Sequence, residues 1–246
     1  MFTLYSADFT GNPGNCSYPH KTVVMNTDNL REAVCHDYVC AEYKNHYRNG
    51  ENFISADCLP VDCDNDHSED PNDWVTPADV LEAFPGVSIA IHYSRFNNRE
   101  KNGKPARPKF HVLFPIDRMT DATLYSDMKK LVNSIFPYFD TKALDAARFF
   151  FGTQEPNVEL YPGRMNLTEF LNNDEFDAGL PGGHKKDAVI PEGSRNAVMS
   201  RFAGIVIKKY GDSEKAYQSF LEKAATCVPP LDNNELSTIW HSAQRF

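Results

Sequence analysis

The sequence contains no apolar run approaching the roughly 20 residues needed to cross a bilayer, and residues 1–12 lack the basic start and apolar centre of a secretory signal. These absences lead to the expectation of a cytoplasmic protein with no membrane partner. No Cys-x-x-Cys pair occurs among Cys16, Cys35, Cys40, Cys58, Cys63 and Cys227, so the cysteines read as reduced thiols. Cys58, Cys63 and His67 also fall short of a structural zinc site, which needs about four ligands at tighter spacings. There is no Gly-x-x-x-x-Gly-Lys-Ser/Thr loop to cradle ATP, no internal repeat and no low-complexity tract. Basic charge is in deficit too: 25 Lys+Arg face 34 Asp+Glu, a net charge of −9 that argues against binding nucleic acid by charge alone.

What is present begins with size. A chain of 246 residues with 41% hydrophobic residues is long enough to bury a full core, as one large domain or a large one plus a small one. The charge is unevenly spread. From His184 onward nine Lys+Arg stand against seven Asp+Glu, so the acidic excess lies wholly before that point. Within the acidic part, residues 95–109 hold six cations (Arg95, Arg99, Lys101, Lys104, Arg107, Lys109) and one acid, and read as a long basic loop, either solvated or suited to phosphates.

Periodicity gives a coarse map. Asn26 caps an amphipathic helix running towards Tyr43, and Thr76-Pro77 opens a short helix over 76–84. Residues 53–63, 87–93, 109–116 and 147–152 read as strands, the third ending at a proline, and 121–136 as a helix. Between 157 and 187 the pattern dissolves, with linker character at Leu180-Pro181-Gly182-Gly183. Three helices follow, over 195–210, 213–225 and 233–244.

Two strand motifs carry chemistry. Val61-Asp62-Cys63-Asp64 places two carboxylates on one face about 7 Å apart, which reads either as a solvated Asp-rich turn or as a pair whose mutual repulsion a divalent cation would relieve. Cys63 is expected to face the core. Lys109-Phe110-His111 likewise aims a cation and an imidazole to one side, a pairing suited to phosphate. Either Asp140 or Asp145 would complete a three-carboxylate site for two metal ions.

The order hydrophobic-Asp-x-Asp, then basic-x-His, then hydrophobic-Asp resembles the archaeo-eukaryotic primase superfamily, and looks most like the primase-polymerases of phages and mobile elements. Glu192-Gly193-Ser194-Arg195-Asn196, Ala203-Gly204, Pro229-Pro230-Leu231, Glu235-Leu236 and Ser242 resemble the helical C-terminal module that follows such cores, so the likeness spans about residues 28–246. It implies an α+β fold: a primase-polymerase catalytic core over 1–183, with mixed or antiparallel sheets flanked by helices around an RRM-like palm, then a small all-helical module over 184–246.

The resemblance also implies roles. Asp62, Asp64, Asp140 and His111 would be catalytic, with two Mg²⁺ or Mn²⁺ ions on Asp62, Asp64 and Asp140 (alternatively Asp145). Lys109, His111, Arg148 and Arg48 would contact the nucleotide, and Arg95, Arg99, Lys101, Lys104 and Arg107 the DNA. Lys109 stands where many relatives carry Ser or another small residue, a departure bearing on its triphosphate contact. The expected activity is a DNA primase/polymerase adding NTP or dNTP units to a 3′-hydroxyl on a single-stranded DNA template and starting primers de novo. Expected partners are that template, the nucleotides and a replicative helicase, in a bacterial or phage-infected cell. Two alternatives share the residues: a metal-dependent nuclease or phosphodiesterase, and a non-catalytic replication-associated DNA-binding protein.

Overall fold

A computed structural model describes residues 1–101, 103–172, 190–191 and 195–244. The chain divides into two compact units, Met1–Lys129 with Tyr138–Asn173, and Lys130–Pro137 with Asp174–Phe246. The expected boundary at 183/184, the linker 180–183, and Glu192, Gly193 and Ser194 lie outside the described residues.

In chain order the first unit contains β1 (Phe2–Ser6), β2 (His20–Val24), α1 (Thr27–Val34), β3 (Tyr38–Val39), β4 (Ala41–Tyr43), β5 (Phe53–Cys63), α2 (Pro77–Ala83), β6 (Ile89–Tyr93), β7 (Arg99–Lys101), β8 (Lys104–Arg107), β9 (Phe110–Met119), the start of α3 (Ala122–Ile135), β10 (Phe149–Phe150), β11 (Val158–Tyr161) and α4 (Leu167–Asn172). They form an α+β core. One sheet has the order β10-β3-β1-β2 and a larger one β11-β6-β9-β5-β4. Every pairing within these two sheets is antiparallel.

The period-two alternation of β5 and β9 decides what lies between the layers. Cys58 of β5, Leu113 of β9 and Ala90 of β6 share one hydrophobic cluster with Phe2, Leu4, Tyr38 and Phe150 of the smaller sheet and with Leu30, Ala33 and Val34 of α1. On the other face Phe114 of β9 meets Phe84, whose ring also packs on Phe170 of α4. Pro60 sits inside β5 at no cost to the ladder. Asp62, two residues on, turns its carbonyl away from β9 to accept from Asp140 N at 2.7 Å, so Pro60, of the same parity, presents its missing N–H to that same outer edge.

Several expectations are corrected here. The helix starting at Asn26 stops at Val34 instead of reaching Tyr43, and β3 and β4 take the remainder. The cause is tertiary. Asp37 N donates to Phe9 O, Ala7 N donates to Asp37 O, and the buried Asp37 carboxylate accepts from Gly11 N, Asn12 N and Gly152 N, a set no continuing helix could satisfy. Gly152 is required at its position because a Cβ there would lie 2.1 Å from His36 O. The stretch 95–109, expected as a loop, contains the β7-β8 hairpin. β9 runs through Pro115 to Met119, and the patternless segment after 157 holds β11 and α4. Residues 2–24, for which the residue pattern carries no reading, supply β1 and β2.

The second unit is mostly helical, as expected. α5 (Arg195–Tyr210), α6 (Glu214–Ala224) and α7 (Asn233–Ala243) enclose Met199, Ala203, Phe220 and Trp240, and β12 (Ile190–Pro191) pairs in parallel with β13 (Cys227–Val228). Ser213 caps α6, and an Asp232/Glu235 capping box opens α7. Arg195 donates to the carbonyls of Pro229 and Pro230 at 2.6 and 3.1 Å, joining two of the sequence motifs singled out in this unit. Among the described residues no helix is long and apolar enough to cross a membrane.

Candidate metal centre

Register brings the site together at one end of the large sheet. Asp62 of β5 lies opposite His111 of β9, and His111 lies opposite His92 of β6, so three polar side chains share a face that is otherwise apolar core. Because the Asp62 backbone bonds to Asp140 and not to β9, Asp62 and His111 form the narrow kind of antiparallel pair in which side chains approach most closely. His111 Nε2 stands 3.7 Å from Asp62 Oδ1.

Beyond Cys63 the chain must turn sharply to leave the sheet. Asn65 makes the turn with φ 53, a left-handed conformation that Asn tolerates, and its side chain bonds Val75 N, Val75 O and Pro108 O. Asp64 is thereby held just past the strand end. Asp140 arrives from a separate segment, tied by its backbone N–H to Asp62 O, while one of its carboxylate oxygens accepts from Lys142 N at 2.9 Å. Asp62, Asp64 and Asp140 each offer a carboxylate oxygen, and these oxygens lie within 4.8 Å of one another. Asp145, the other candidate for the third acid, is exposed and accepts from Ala147 N, outside this group.

Electrostatics make the centre a charge problem. Burial, then the neighbouring Asp64, push the Asp62 carboxyl up to about 7, against the opposing pull of Arg148. Arg148 Nη2 is 3.8 Å from Asp62 Oδ2, too far for a hydrogen bond, and Asp62 Oδ1 is buried with no hydrogen-bond partner. Burial drives His111 down to about 3, so its imidazole is neutral. Lys109 is nearly enclosed, and its Nζ contacts Asp64 Oδ1 at 3.0 Å, Asp64 O at 3.0 Å and Asp66 Oδ1 at 3.5 Å.

The remaining cations named from sequence are scattered. Arg48 donates to Ala147 O and Asn15 O and stacks on Phe149, bracing the strand that follows Arg148. Arg95 stacks on Phe151 with 3.9 Å from guanidinium carbon to ring centroid. Arg99 and Lys104 are exposed on the hairpin, Lys104 pairing with Asp66 at 3.2 Å, and Lys101 lies in β7. Arg107 departs from the expected DNA contact. Its guanidinium is 0% exposed, bonded to Asn65 O, Ser68 O and Glu69, and so holds the 65–69 turn instead of facing solvent.

Sequence reasoning missed three supports. Buried Lys129 donates to Asp145 O at 2.8 Å and anchors the segment that carries Asp140; burial lowers its amine to about 8. Tyr38 and His92 contact His111 from behind, with Tyr38 Oη 3.2 Å and His92 Nδ1 3.3 Å from His111 Nδ1. His92 was visible as a polar residue in an apolar strand, but its face depends on register with β9.

No family model matches the sequence, and no curated protein matches it. Among solved structures, the AEP domain of the Cyanophage S-2L primase-polymerase (PrimPol) shows a weak structural similarity: TM-score 0.38 and 12% sequence identity, over 66% of this chain and 81% of that one.

Proposed function

We propose that the chain is a metal-dependent nucleotidyltransferase of the primase-polymerase kind, adding NTP or dNTP units to a 3′-hydroxyl on a single-stranded DNA template and able to start primers de novo. The observation that carries this is the convergence of Asp62, Asp64 and Asp140 from two chain segments around a buried carboxylate oxygen that has no partner. The donor set fits the group. Hard carboxylate oxygens favour Mg²⁺ or Mn²⁺, and cations would restore the ionised form of a carboxyl that burial holds near neutral. Bound there, two such ions would supply Lewis acidity towards the 3′-hydroxyl and the phosphates.

The chain's own residues do the rest of the work. Asp62, Asp64 and Asp140 hold the metal. His111, neutral and beside Asp62, presents Nε2 to the triphosphate as a hydrogen-bond donor, and Arg148 adds positive charge next to it. Lys109 neutralises Asp64 and Asp66, and reaches a phosphate only by exchanging those partners. Arg95, Arg99, Lys101 and Lys104 are the template contacts in this reading, with a replicative helicase as a further partner and the cytoplasm of a bacterium or phage-infected cell as the setting.

The test incubates protein, single-stranded DNA, Mn²⁺ and labelled nucleotides without primer, beside the Asp62→Ala/Asp64→Ala double variant. Wild type is expected to make labelled oligonucleotides and the variant none. Shortening of labelled DNA by metal alone, with no need for triphosphates, would instead identify a nuclease.

A further inference from the structure

We propose that the outer face of β10, where Arg95 and Arg48 lie against Phe151 and Phe149, is a track for single-stranded DNA that anchors the template beside the metal centre; the choice of partner rests on the function proposed above. Strand alternation builds the track. Phe149 and Phe151 share one face, while Phe150 takes the other and packs on His111 and Tyr38 with ring centroids 4.7 and 5.6 Å away. Arg148, on the Phe150 side, reaches to 3.8 Å from Asp62. This short edge strand thus has one face at the acidic centre and the other turned away from it.

The face turned away gathers cations and rings. Phe149 and Phe151 meet edge to face at 5.0 Å between centroids. The Arg48 guanidinium carbon lies 4.8 Å from the Phe149 centroid, and that of Arg95 lies 3.9 Å from Phe151 and 5.3 Å from Phe96. All five side chains are half-buried, held in place yet open to solvent. Arg48 is fixed by donating to the carbonyls of Ala147 and Asn15, which leave its charge uncancelled. Arg95 is more open still. Among the described residues its guanidinium has no carboxylate and no hydrogen-bond acceptor, so the stack on Phe151 sets its plane while its N–H edge is left for an acceptor from outside.

The rest of the basic segment lacks that combination. Lys104 pairs with Asp66, Arg107 is buried against Glu69, and Lys109 closes on Asp64 and Asp66, so the acidic turn cancels their charge. Arg99 is exposed and keeps its charge, but among the described residues no ring lies under it. A chain of net charge −9 repels a polyanion over much of its surface, which makes uncancelled guanidinium groups set among rings the place where one can dock. The rings narrow the choice of polyanion. A single strand offers base faces that stack on aromatic and guanidinium planes, and phosphates that accept from arginine edges. A duplex hides those faces, and an acidic peptide has the charge without them.

The experiment reads binding of a fluorescently labelled DNA single strand by anisotropy, in EDTA and without nucleotides, over a range of salt, for wild type, Arg95→Ala, Arg95→Lys, Phe151→Leu and Arg99→Ala. Melting curves check that each variant is folded; should Phe151→Leu fail that check, Arg95→Lys reads the stack alone. Arg95→Ala is expected to weaken binding about tenfold and to lower the salt slope by about 0.7. Arg95→Lys and Phe151→Leu should keep the slope and bind about fivefold more weakly, since each removes a flat surface and no charge. Arg99→Ala should stay within about twofold of wild type. No single-strand binding by wild type, equal affinity for a duplex, competition by polyglutamate, or a loss in Arg99→Ala that Arg95→Ala does not show overturns the track. Because binding is read without turnover, a wild type that binds through Arg95 yet makes no oligonucleotides would sink the proposed function and leave the track standing. Primer-independent synthesis by a protein whose DNA binding is indifferent to Arg95 would do the reverse.

Discussion

Two neighbouring parts of one acidic stretch receive opposite treatment. Asp66 and Glu69 are saturated with cations: Arg107 lies 3.7 and 2.8 Å from them, Lys104 contacts Asp66 at 3.2 Å, and Asp66 is held below the ordinary carboxylate range. Asp62, a few residues earlier and far more buried, has one guanidinium beyond hydrogen-bond range and an unpartnered oxygen. The chain thus has cations within reach and spends them on the turn. The difference teaches that the shortage of positive charge is local: Lys109 pairs with Asp64 and Asp66, and the buried Asp62 carboxylate beside them is left without a matching cation, a gap that a divalent ion would fill.

That contrast can be broken at either end. The largest effect is expected from Asp62→Asn, which removes one ligand while keeping its shape: nucleotide transfer should fall on the order of a thousandfold. The same variant should change the pH profile of metal-free stability. The folded-state value for Asp62, about 7, lies above its ordinary 3.8, so its stabilising contribution is full below about 4 and lost as pH rises through 7. Wild type should therefore lose melting temperature over that window without metal and regain it with Mn²⁺, while Asp62→Asn shows a flatter curve. A wild-type curve no steeper than the variant's would show that the buried charge is already compensated.

On the saturated side, Arg107→Ala removes the donor to two carbonyls of the turn and leaves a hole where a fully buried side chain stood. Denaturant unfolding should register a loss of about 2 kcal/mol, since the orphaned carboxylates reach solvent. Mn²⁺ affinity measured on the folded variant should stay within about twofold of wild type. A much larger affinity change would mean that the turn also sets the position of Asp64. The smallest effect belongs to Cys63→Ser. Its thiol is wholly buried, on the opposite face from Asp62, and burial pushes it up to about 12, so it acts as a small apolar group. The hydroxyl should cost about 1–2 kcal/mol in stability, read by thermal melting, and leave metal binding unaltered.

The acidic pair, His111 and the three C-terminal helices were legible because alternation and helical spacing are local rules, and β5 and β9 obey the first without exception through 58–63 and 110–115. Asp140 was legible only through motif order; what places it is a backbone bond to Asp62 that no local pattern encodes. Tyr38 falls inside the helix that the spacing predicts towards Tyr43, and its place in β3 behind His111 appears only once Asp37 is seen satisfying two distant loops. Arg107 misled for a related reason. In sequence it sits in a run of cations, and whether such a residue meets solvent or a carboxylate depends on where Asp66 and Glu69 fold back. Gly152 shows the same limit, as its need for a bare Cα comes from His36 across the chain.

Asp37 has a further consequence, in the order of events during synthesis. One oxygen of its carboxylate bonds Gly11 and Asn12, available early, and the other bonds Gly152, 115 residues downstream. β10 pairs with β3 and β11 with β6, so both sheets gain an outer strand only from the last part of the first unit to leave the ribosome. Until then β3 and β6 have exposed edges and Asp37 is a half-bonded anion in a forming core. The nascent chain must therefore hold its front half in waiting, and the unit matures late and as a whole, at the slow pace of non-local strand pairing.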